Sequence, residues 1–225
     1  MSSDPVGSHF DHVAPDYDRW KAKAHHYYAA LKASLREVVP PGSRVLEVGC
    51  ATGDILASLE PREGIGMDIS AEMISLASQK HPGLRFQVHD LMEGPLDERF
   101  DYIVAADVAE HVPDLDAMMA ALAGMLTDRG IAVVVTANPL WSPILHAAER
   151  LNLKMPEGDH EWRSRGDLVS AGRRAGLRER SFTRSLLVPK DVPGIRALDS
   201  ARWAAGVRQR FGLIQRAMFE AAAGP

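Results

Sequence analysis

The sequence has a single cysteine, few aromatic residues and no long apolar run. Cys50 is the one cysteine among 225 residues, which excludes an intramolecular disulfide and is typical of a reducing compartment. No segment approaches the roughly 18 consecutive apolar residues of a membrane span. The first residues have neither the basic nor the apolar region of a secretory signal, so a cytoplasmic location is predicted.

Metal-binding and nucleic-acid-binding patterns are missing as well. The His, Cys and acidic residues do not follow metal-ligand spacings, so no metal site is predicted. Residues 1–143 hold 21 acidic and 11 basic side chains, whereas residues 144–225 hold 9 and 15. The basic positions are not interleaved with aromatic ones, which argues against nucleic-acid binding. We expect them to form a solvated face or to pair with the acidic part of the chain.

The most informative segment runs from Arg44 to Asp68 and reads RVLEVGCATGD, then GIGMD at its end. A short apolar strand leads into a turn of small residues, where backbone N–H groups are accessible to a ligand. An acidic residue at the end of the next strand suits a ribose diol. A dinucleotide fingerprint, Gly-x-Gly-x-x-Gly, is not present, because counting from Gly49 gives Ala51 and Asp54. The segment predicts a nucleoside-cofactor site, with a nicotinamide-dependent oxidoreductase as the disfavoured alternative.

Short β-rich runs alternate with helical patterns, which predicts an α/β fold with a mostly parallel sheet. One helix is predicted over Ala71–Lys80 after the capping residue Ser70, and another over Leu115–Leu126, stopped by Gly130. Ile214–Ala221 suits either a strand or a helix. The predicted strands are Arg44–Val48, Ile65–Asp68, Leu84–Val88, Phe100–Ala106, Ile131–Thr136 and Arg180–Val188.

The chain is predicted to form one domain of three parts. Residues 1–42 form an N-terminal helical lid, residues 43–138 a cofactor-binding core, and residues 139–225 a substrate cap with the C-terminal strands. Within the cap, the segment Val192–Phe211 mixes apolar residues with arginines. We expect it to be a cap or dimer helix, and an amphipathic helix at a membrane surface is the alternative.

The pattern Glu47-x-Gly49-x-Ala51-x-Gly53 resembles motif I of the class I S-adenosylmethionine (SAM) methyltransferases, with alanine in place of the middle glycine. The segments GIGMDIS, FQVHDL, FDYIVAADVAEHV and LTDRGIAVVVTANP follow in the order of that family, and VAPDYDRW resembles its lid helix. The small-molecule branch, which includes ubiquinone-biosynthesis-type O-methyltransferases, is the most similar. The resemblance implies a Rossmann-like, seven-stranded, mostly parallel sheet with helices on both faces and a reversed final β-hairpin.

The resemblance also implies roles for single residues around SAM and its product S-adenosylhomocysteine. Glu47 would organise the turn and bind the methionine amino group, Asp68 would accept from both ribose hydroxyls, and Asp90 would read the adenine edge. In isolation, these aspartates would suit helix or turn caps equally well. The other residues expected at the cofactor are Tyr17, Trp20, Gly49, Ile69, Met73, Leu91, Ala106 and Asp107. For Tyr17 and Trp20, ordinary packing is the alternative.

Methyl transfer from a sulfonium is a displacement that depends on the alignment of acceptor atom, methyl and sulfur. A hydroxyl acceptor also needs a base, for which histidine is suited. The catalytic candidates are His160 in the cap, with Glu161 as a weaker alternative, and His111 after the fourth strand. His111 suits a packing or cofactor-contact role equally well. The segment 25–28, His-His-Tyr-Tyr, is expected to line the acceptor pocket if the lid closes.

These observations predict an enzyme that transfers a methyl group from SAM to a small molecule, most readily at a hydroxyl oxygen. Nitrogen, carbon and carboxylate acceptors stay open, because the recognisable motifs contact only the donor. A SAM-binding protein without methyl transfer, such as a cyclase or a pseudo-enzyme, is the principal alternative. The expected partner is a small-molecule acceptor, and the expected assembly is a monomer or homodimer.

Overall fold

The computed structural model describes residues 4–155, 161–189 and 205–222 of the chain. The strands, numbered in chain order, are β1 (Arg44–Val48), β2 (Glu63–Asp68), β3 (Arg85–Val88), β4 (Phe100–Ala106), β5 (Leu126–Ala137), β6 (Leu177–Ser185) and β7 (Ile214–Ala221). The helices are α1 (Asp4–Val13), α2 (Tyr17–Lys23), α3 (His25–Arg36), α4 (Asp54–Ser58), α5 (Ala71–Lys80), α6 (Leu115–Gly124), α7 (Ser142–Arg150), α8 (Arg165–Arg174) and α9 (Ala205–Phe211). Among these helices, none is both long enough and apolar enough to cross a membrane.

The strands form one sheet in the order β3-β2-β1-β4-β5-β7-β6. β1 pairs in parallel with β2 on one side and with β4 on the other, and β7 runs antiparallel to both of its neighbours. The predicted sheet with its reversed final hairpin is confirmed, and Ile214–Ala221 is a strand. Because the chain continues in opposite directions on the two sides of β1, a crevice is left at the carboxyl ends of β1 and β4.

Several predicted boundaries are confirmed. β1, β4 and α5 cover the predicted residues, and the Ser70 hydroxyl caps α5 by accepting a hydrogen bond from the Met73 N–H (3.1 Å). β6 begins and ends earlier than predicted, because Leu177 is buried and already pairs with Ala221. The predicted helix that ends at Phe211 is described over α9 alone, and the rest of that prediction lies outside the described residues.

The largest difference from the predicted elements lies between α6 and β5. The helix predicted over 115–126 ends at Gly124, and β5 begins at Leu126, so Gly130 lies within a strand. The pairing of β4 with β5 is irregular beside Phe100, and a side chain at Gly130 would collide with the Phe100 carbonyl oxygen. Glycine at this position therefore marks a close approach of two strands instead of a helix end.

Apolar side chains pack on both faces of the sheet. Successive residues of β1 point to opposite faces, so Leu46 joins the cluster under α6 and α8, and Val45 joins the cluster that contains Leu31 and Leu35 of α3. Leu31 and Leu35 have no exposed surface. Helix α3, although it lies in the predicted lid, is therefore part of the core, whereas α2 has no buried residue.

Polar contacts dock α1 and α2 onto the carboxyl end of the sheet. The Asp11 carboxylate of α1 accepts a hydrogen bond from the Ser70 hydroxyl. The Asp18 carboxylate of α2 accepts from the Thr52 hydroxyl (3.0 Å) and from the Lys80 ammonium (2.7 Å). The two N-terminal helices consequently cover the crevice at the ends of β1 and β4.

Candidate active site

A cleft lies at this crevice. Its empty space of about 1110 Å³ is partly open to solvent. The floor is formed by the turn after β1 and by the ends of β2 and β4, and the cover is formed by side chains of α1, α2 and α3. The cleft therefore brings residues of the core strands and of the N-terminal helices together.

The turn after β1 combines three residues with positive φ. Gly49, Ala51 and Gly53 have φ angles of 66°, 45° and 77°. A side chain at Gly49 would collide with the Val108 side chain across the cleft floor. Ala51 adopts a left-handed conformation that disfavours any residue with a Cβ, by roughly 1–2 kcal/mol. Alanine therefore occupies a position at which the motif's glycine would be unstrained.

Two buried carboxylates are fixed by backbone N–H groups beside this turn. Asp68 accepts from the N–H groups of Ala51 and Ser70, each at 2.9 Å, and Glu47 accepts from the Leu56 N–H at 2.9 Å. Burial raises the pKa of Glu47 to about 8 and also raises the pKa of Asp68, while the backbone hydrogen bonds oppose both shifts. A ligand with hydroxyl donors at Asp68 and a cation at Glu47 would offset this desolvation.

The neighbouring part of the cleft is a mostly apolar slot. Ile69, Met73 and Leu91 line it, and Met73 and Leu91 are buried. Asp90 lies at the same edge, and its carboxylate also accepts from the Met92 N–H (2.9 Å) at the start of a short 3₁₀ turn. The capping and cleft-lining roles therefore coexist at Asp90. The slot suits a flat, apolar ring that presents an amino group.

The part of the cleft around Asp107 and His111 is held by side chains of the N-terminal helices. The Tyr27 hydroxyl of α3 lies 2.8 Å from both carboxylate oxygens of Asp107, and Asp107 has a left-handed backbone (φ 55°). Burial and the Asp107 carboxylate raise the pKa of Tyr27, so the phenol stays protonated and donates. The His111 ring lies edge-on to the Phe10 ring of α1, with 5.4 Å between centroids.

A cation lies between aromatic rings where α2 meets α3. The Lys21 ammonium is 5.3 Å from the centroid of the Tyr17 ring and 5.1 Å from that of Tyr28, and it donates to Asp54 at 3.0 Å. Burial and the hydrogen-bonded Tyr28 raise the pKa of Tyr17. Lys21 and Phe10 were not predicted. Lys21 follows Tyr17 by four positions on the same helix face, a signal that the sequence did contain.

The predicted cofactor residues line the cleft, with one exception. The lining includes the predicted catalytic residue His111 and the predicted cofactor residues Tyr17, Glu47, Gly49, Asp68, Ile69, Met73, Asp90, Leu91, Ala106 and Asp107. Trp20 does not line the cleft, and the Lys23 ammonium stacks on its ring at 4.1 Å. Three residues along a helix turn a side chain about 60° away from its starting direction, which separates Trp20 from Tyr17.

The predicted catalytic residue His160 lies outside the described residues. Met155 lines the cleft, and the Glu161 N–H donates to the Glu110 carbonyl oxygen at 2.8 Å, next to His111. Among the side chains that the structure describes, no group of three or more His, Cys, Asp or Glu is placed to hold a metal ion.

Comparison with known proteins gives the family. Residues 20–181 match a protein-family model described as a methyltransferase domain. The ubiquinone biosynthesis O-methyltransferase of Bradyrhizobium sp. (strain ORS 278) is 34% identical over 131 residues, which cover 54% of this chain and 51% of that protein. The protein of the same description from Rhodopseudomonas palustris (strain TIE-1) is 35% identical over 133 residues, with the same coverage. The chain thus spans about half the length of the curated relatives it matches.

Solved structures share the fold over nearly the whole chain. A chain in the complex between the Haloferax volcanii Trm112 methyltransferase activator and a methyltransferase aligns with a TM-score of 0.73 at 22% identity, over 95% of this chain and 98% of that one. Magnesium protoporphyrin IX methyltransferase from Synechocystis PCC 6803, with bound S-adenosylhomocysteine, aligns with a TM-score of 0.65 at 18% identity, over 98% and 99%. The chain therefore belongs to the methyltransferase domain family, among the class I SAM-dependent methyltransferases that its motifs predicted.

Proposed function

We propose that the protein transfers the methyl group of SAM to a hydroxyl oxygen of a small molecule. One observation carries this proposal: the lining of the cleft combines two chemically different sets of side chains, which we call its two ends. One end presents the backbone-held carboxylates of Glu47 and Asp68, and the other presents Asp107 and His111 among side chains of the N-terminal helices. A donor and an acceptor can therefore be held by separate groups.

The residues at the first end fit SAM by their chemistry. Asp68 has acceptor oxygens for a ribose diol. Burial raises the pKa of Glu47, and a cation such as the methionine ammonium would stabilise its ionised form. The slot of Ile69, Met73 and Leu91 suits an adenine ring, whose amino group can donate to Asp90. When bound, SAM supplies a methyl group made electrophilic by a positively charged sulfur.

The second end favours an acceptor with an apolar body and one polar group. Phe10, Val108, Val112 and Pro113 supply an apolar lining, and Asp107 and His111 supply hydrogen-bonding groups. A hydroxyl group could donate to Asp107 or His111 while its oxygen is directed toward the donor end. The name of the curated relatives, O-methyltransferases, supports oxygen as the acceptor atom.

The side chains of the cleft contribute mainly by aligning the reacting atoms and, to a smaller extent, by transferring a proton. Holding the reacting atoms in line can supply on the order of 7–11 kcal/mol, and a base adds roughly 10²- to 10⁴-fold in rate. His111, which lines the cleft, and His160, whose chain neighbour Glu161 is bonded beside His111, are the two candidates for the base. Either imidazole would take the hydroxyl proton as the oxygen is methylated.

The test is a methyl-transfer assay with purified protein, SAM, and phenol, amine and carboxylic acid acceptors built on one aromatic frame. S-adenosylhomocysteine is expected with the phenols. Product with amines or carboxylic acids alone would contradict the oxygen assignment. SAM binding without product from any acceptor would favour a SAM-binding protein that transfers no methyl group.

The kinetics of His111→Gln and His160→Gln test which histidine is the base. His12→Gln, at an exposed position of α1, is the control. We expect kcat to fall about 100-fold in the variant that lacks the base, with loss of the acidic limb of the pH–rate profile and unchanged SAM affinity. Equal rates in all three variants would show that no histidine of this pair acts as a base.

We further propose that the acceptor is the protein's main partner, that nucleic acid takes no part, and that the chain acts as a monomer or homodimer in the cytoplasm. The distribution of charge and the absence of aromatic interleaving among the basic residues support the exclusion of nucleic acid. Light scattering after size-exclusion chromatography measures the assembly, and co-sedimentation with vesicles measures contact with membranes.

A further inference from the structure

A second depression lies beside the cleft, between the N-terminal helices α2 and α3 and the core helices α4 and α5, and Lys21 and Tyr28 line both. We call it the lid notch. Its charged lining consists of Lys21, Lys32, Arg36 and Lys80, facing the carboxylates of Asp18 and Asp54. Its small residues, Ala22 and Ala29, leave the helix backbones accessible. Four cations therefore face two carboxylates in one concave site.

The two carboxylates already have partners. Asp54 accepts from Lys21 at 3.0 Å and from Lys80 at 2.9 Å, and its other oxygen lies 2.9 Å from the His81 ring. Asp18 accepts from Lys80 at 2.7 Å. These contacts lower the pKa of Asp54 even though its partial burial acts in the opposite direction. Lys21 and Lys80 are thus neutralised within the notch.

Lys32 and Arg36 have no bonded carboxylate in the part of the chain that the structure describes. They lie one turn apart on α3, and Arg36 donates from Nε to the Ser58 carbonyl oxygen at 2.8 Å. Within the described residues Lys32 has neither an ion pair nor a hydrogen-bond partner. Burial and the neighbouring cations lower the pKa of Lys32, with Asp54 opposing them. The α3 side of the notch therefore carries two positive charges that form no ion pair with a carboxylate of the described residues.

We propose that the lid notch binds a doubly charged oxyanion of the phosphate type, with Lys32 and Arg36 as its main ligands. Two negative charges match the two uncompensated cations, and several acceptor oxygens match the donors of a guanidinium and an ammonium. The bound anion would bridge α3 to Lys80 of α5. Nothing in this proposal depends on methyl transfer, because Lys32 and Arg36 do not line the cleft.

The experiment titrates inorganic phosphate into the full chain without SAM, by calorimetry and by ³¹P NMR, with ionic strength held constant by sodium chloride. Saturable binding is expected for the wild-type protein. Lys32→Gln and Arg36→Gln should each weaken it about tenfold, because each removes one charge-assisted hydrogen bond. Lys23→Gln is the matched control, since Lys23 is exposed on α2 and does not line the notch.

The result that overturns the proposal is equal phosphate affinity in Lys32→Gln, Arg36→Gln and the control, or a response that sodium chloride reproduces at matched ionic strength. A parallel titration with glycerol phosphate distinguishes the sources of the anion. Tighter binding of the ester would indicate a phosphorylated small molecule, and equal affinity would indicate free phosphate. Either result, combined with weaker phosphate binding by Lys32→Gln and Arg36→Gln, supports an anion site at the lid notch.

Discussion

The two ends of the cleft are built from different parts of the chain. At the cofactor end, Glu47 and Asp68 are oriented by backbone N–H groups of the turns that follow β1 and β2. At the acceptor end, Asp107 is held by the Tyr27 hydroxyl and His111 packs against Phe10. The first end is thus fixed by local sequence within the core. The second depends on helices that dock from far along the chain.

The largest expected difference between the ends is a pH dependence that arises at Glu47. Its pKa in the folded protein is about 8, well above its ordinary value of 4.5, because the carboxyl is buried. A raised folded-state pKa favours the folded protein fully below pH 4.5, and this contribution is lost as the pH rises through 8.

The free energy of unfolding of the protein without SAM should therefore fall by several kcal/mol between pH 5 and pH 8.5, and Glu47→Gln should remove most of that fall. Urea denaturation at the two pH values measures it. A parallel pH dependence in the wild-type protein and in Glu47→Gln would mean that the carboxyl titrates normally.

Loss of the Asp68 carboxylate should be the largest single effect on the cofactor. Asp68→Asn keeps the size of the side chain and an oxygen for the Ala51 or Ser70 N–H, so the fold should be retained. Two charge-assisted hydrogen bonds to the ribose would weaken, and SAM affinity should fall about 100-fold by calorimetry. Asp101→Asn, at a carboxylate that bonds the Arg44 N–H outside the cleft, is the control.

Tyr27→Phe should act on the other end alone. It removes the hydroxyl that holds Asp107 and leaves the ring in the apolar cluster, so kcat should fall about tenfold while SAM affinity changes less than about twofold. Tyr102→Phe, in the same apolar cluster, is the control and should leave both values unchanged. If Tyr27→Phe weakened SAM binding as much as turnover, the two ends would not be separable.

The smallest expected effect concerns the backbone of the cofactor turn. Ala51→Gly relieves the left-handed strain at φ 45° but adds chain entropy to the unfolded state, so the free energy of unfolding should rise by about 0.5–1 kcal/mol. Ala57→Gly in α4 should lower it by about the same amount. Chemical denaturation measures the free energy of unfolding of both variants. If Ala51→Gly were destabilising, the contacts of the Ala51 methyl would stabilise the fold by more than the backbone strain costs.

The same contrast explains what could be predicted from sequence. Asp68 and Asp90 follow successive strands, so the order of strands alone brings them to one edge of the sheet. The contacts of Phe10 with His111 and of Lys21 with Asp54 could not be predicted, because they depend on where α1 and α2 dock. The contact of Lys21 with Tyr17 alone has a local signal, the spacing of four residues on one helix. The predicted end of α6 is wrong for a related reason. Gly130 does not end a helix but allows the close approach of Phe100 in another strand.

Arg216, in the middle of β7, has a consequence for how ligands reach the cleft. Its buried guanidinium donates to the carbonyl and hydroxyl oxygens of Ser34. These hydrogen bonds attach α3 to the sheet, in addition to the packing of Leu31 and Leu35. Helix α2, in contrast, has no buried residue and joins α3 at Ala24, which has non-helical torsions (φ −104°, ψ 23°). A ligand in the cleft therefore meets one wall, around Tyr27, that is anchored to the sheet through Ser34, and another, on α2, that is held by the polar contacts of Asp18 and Lys21.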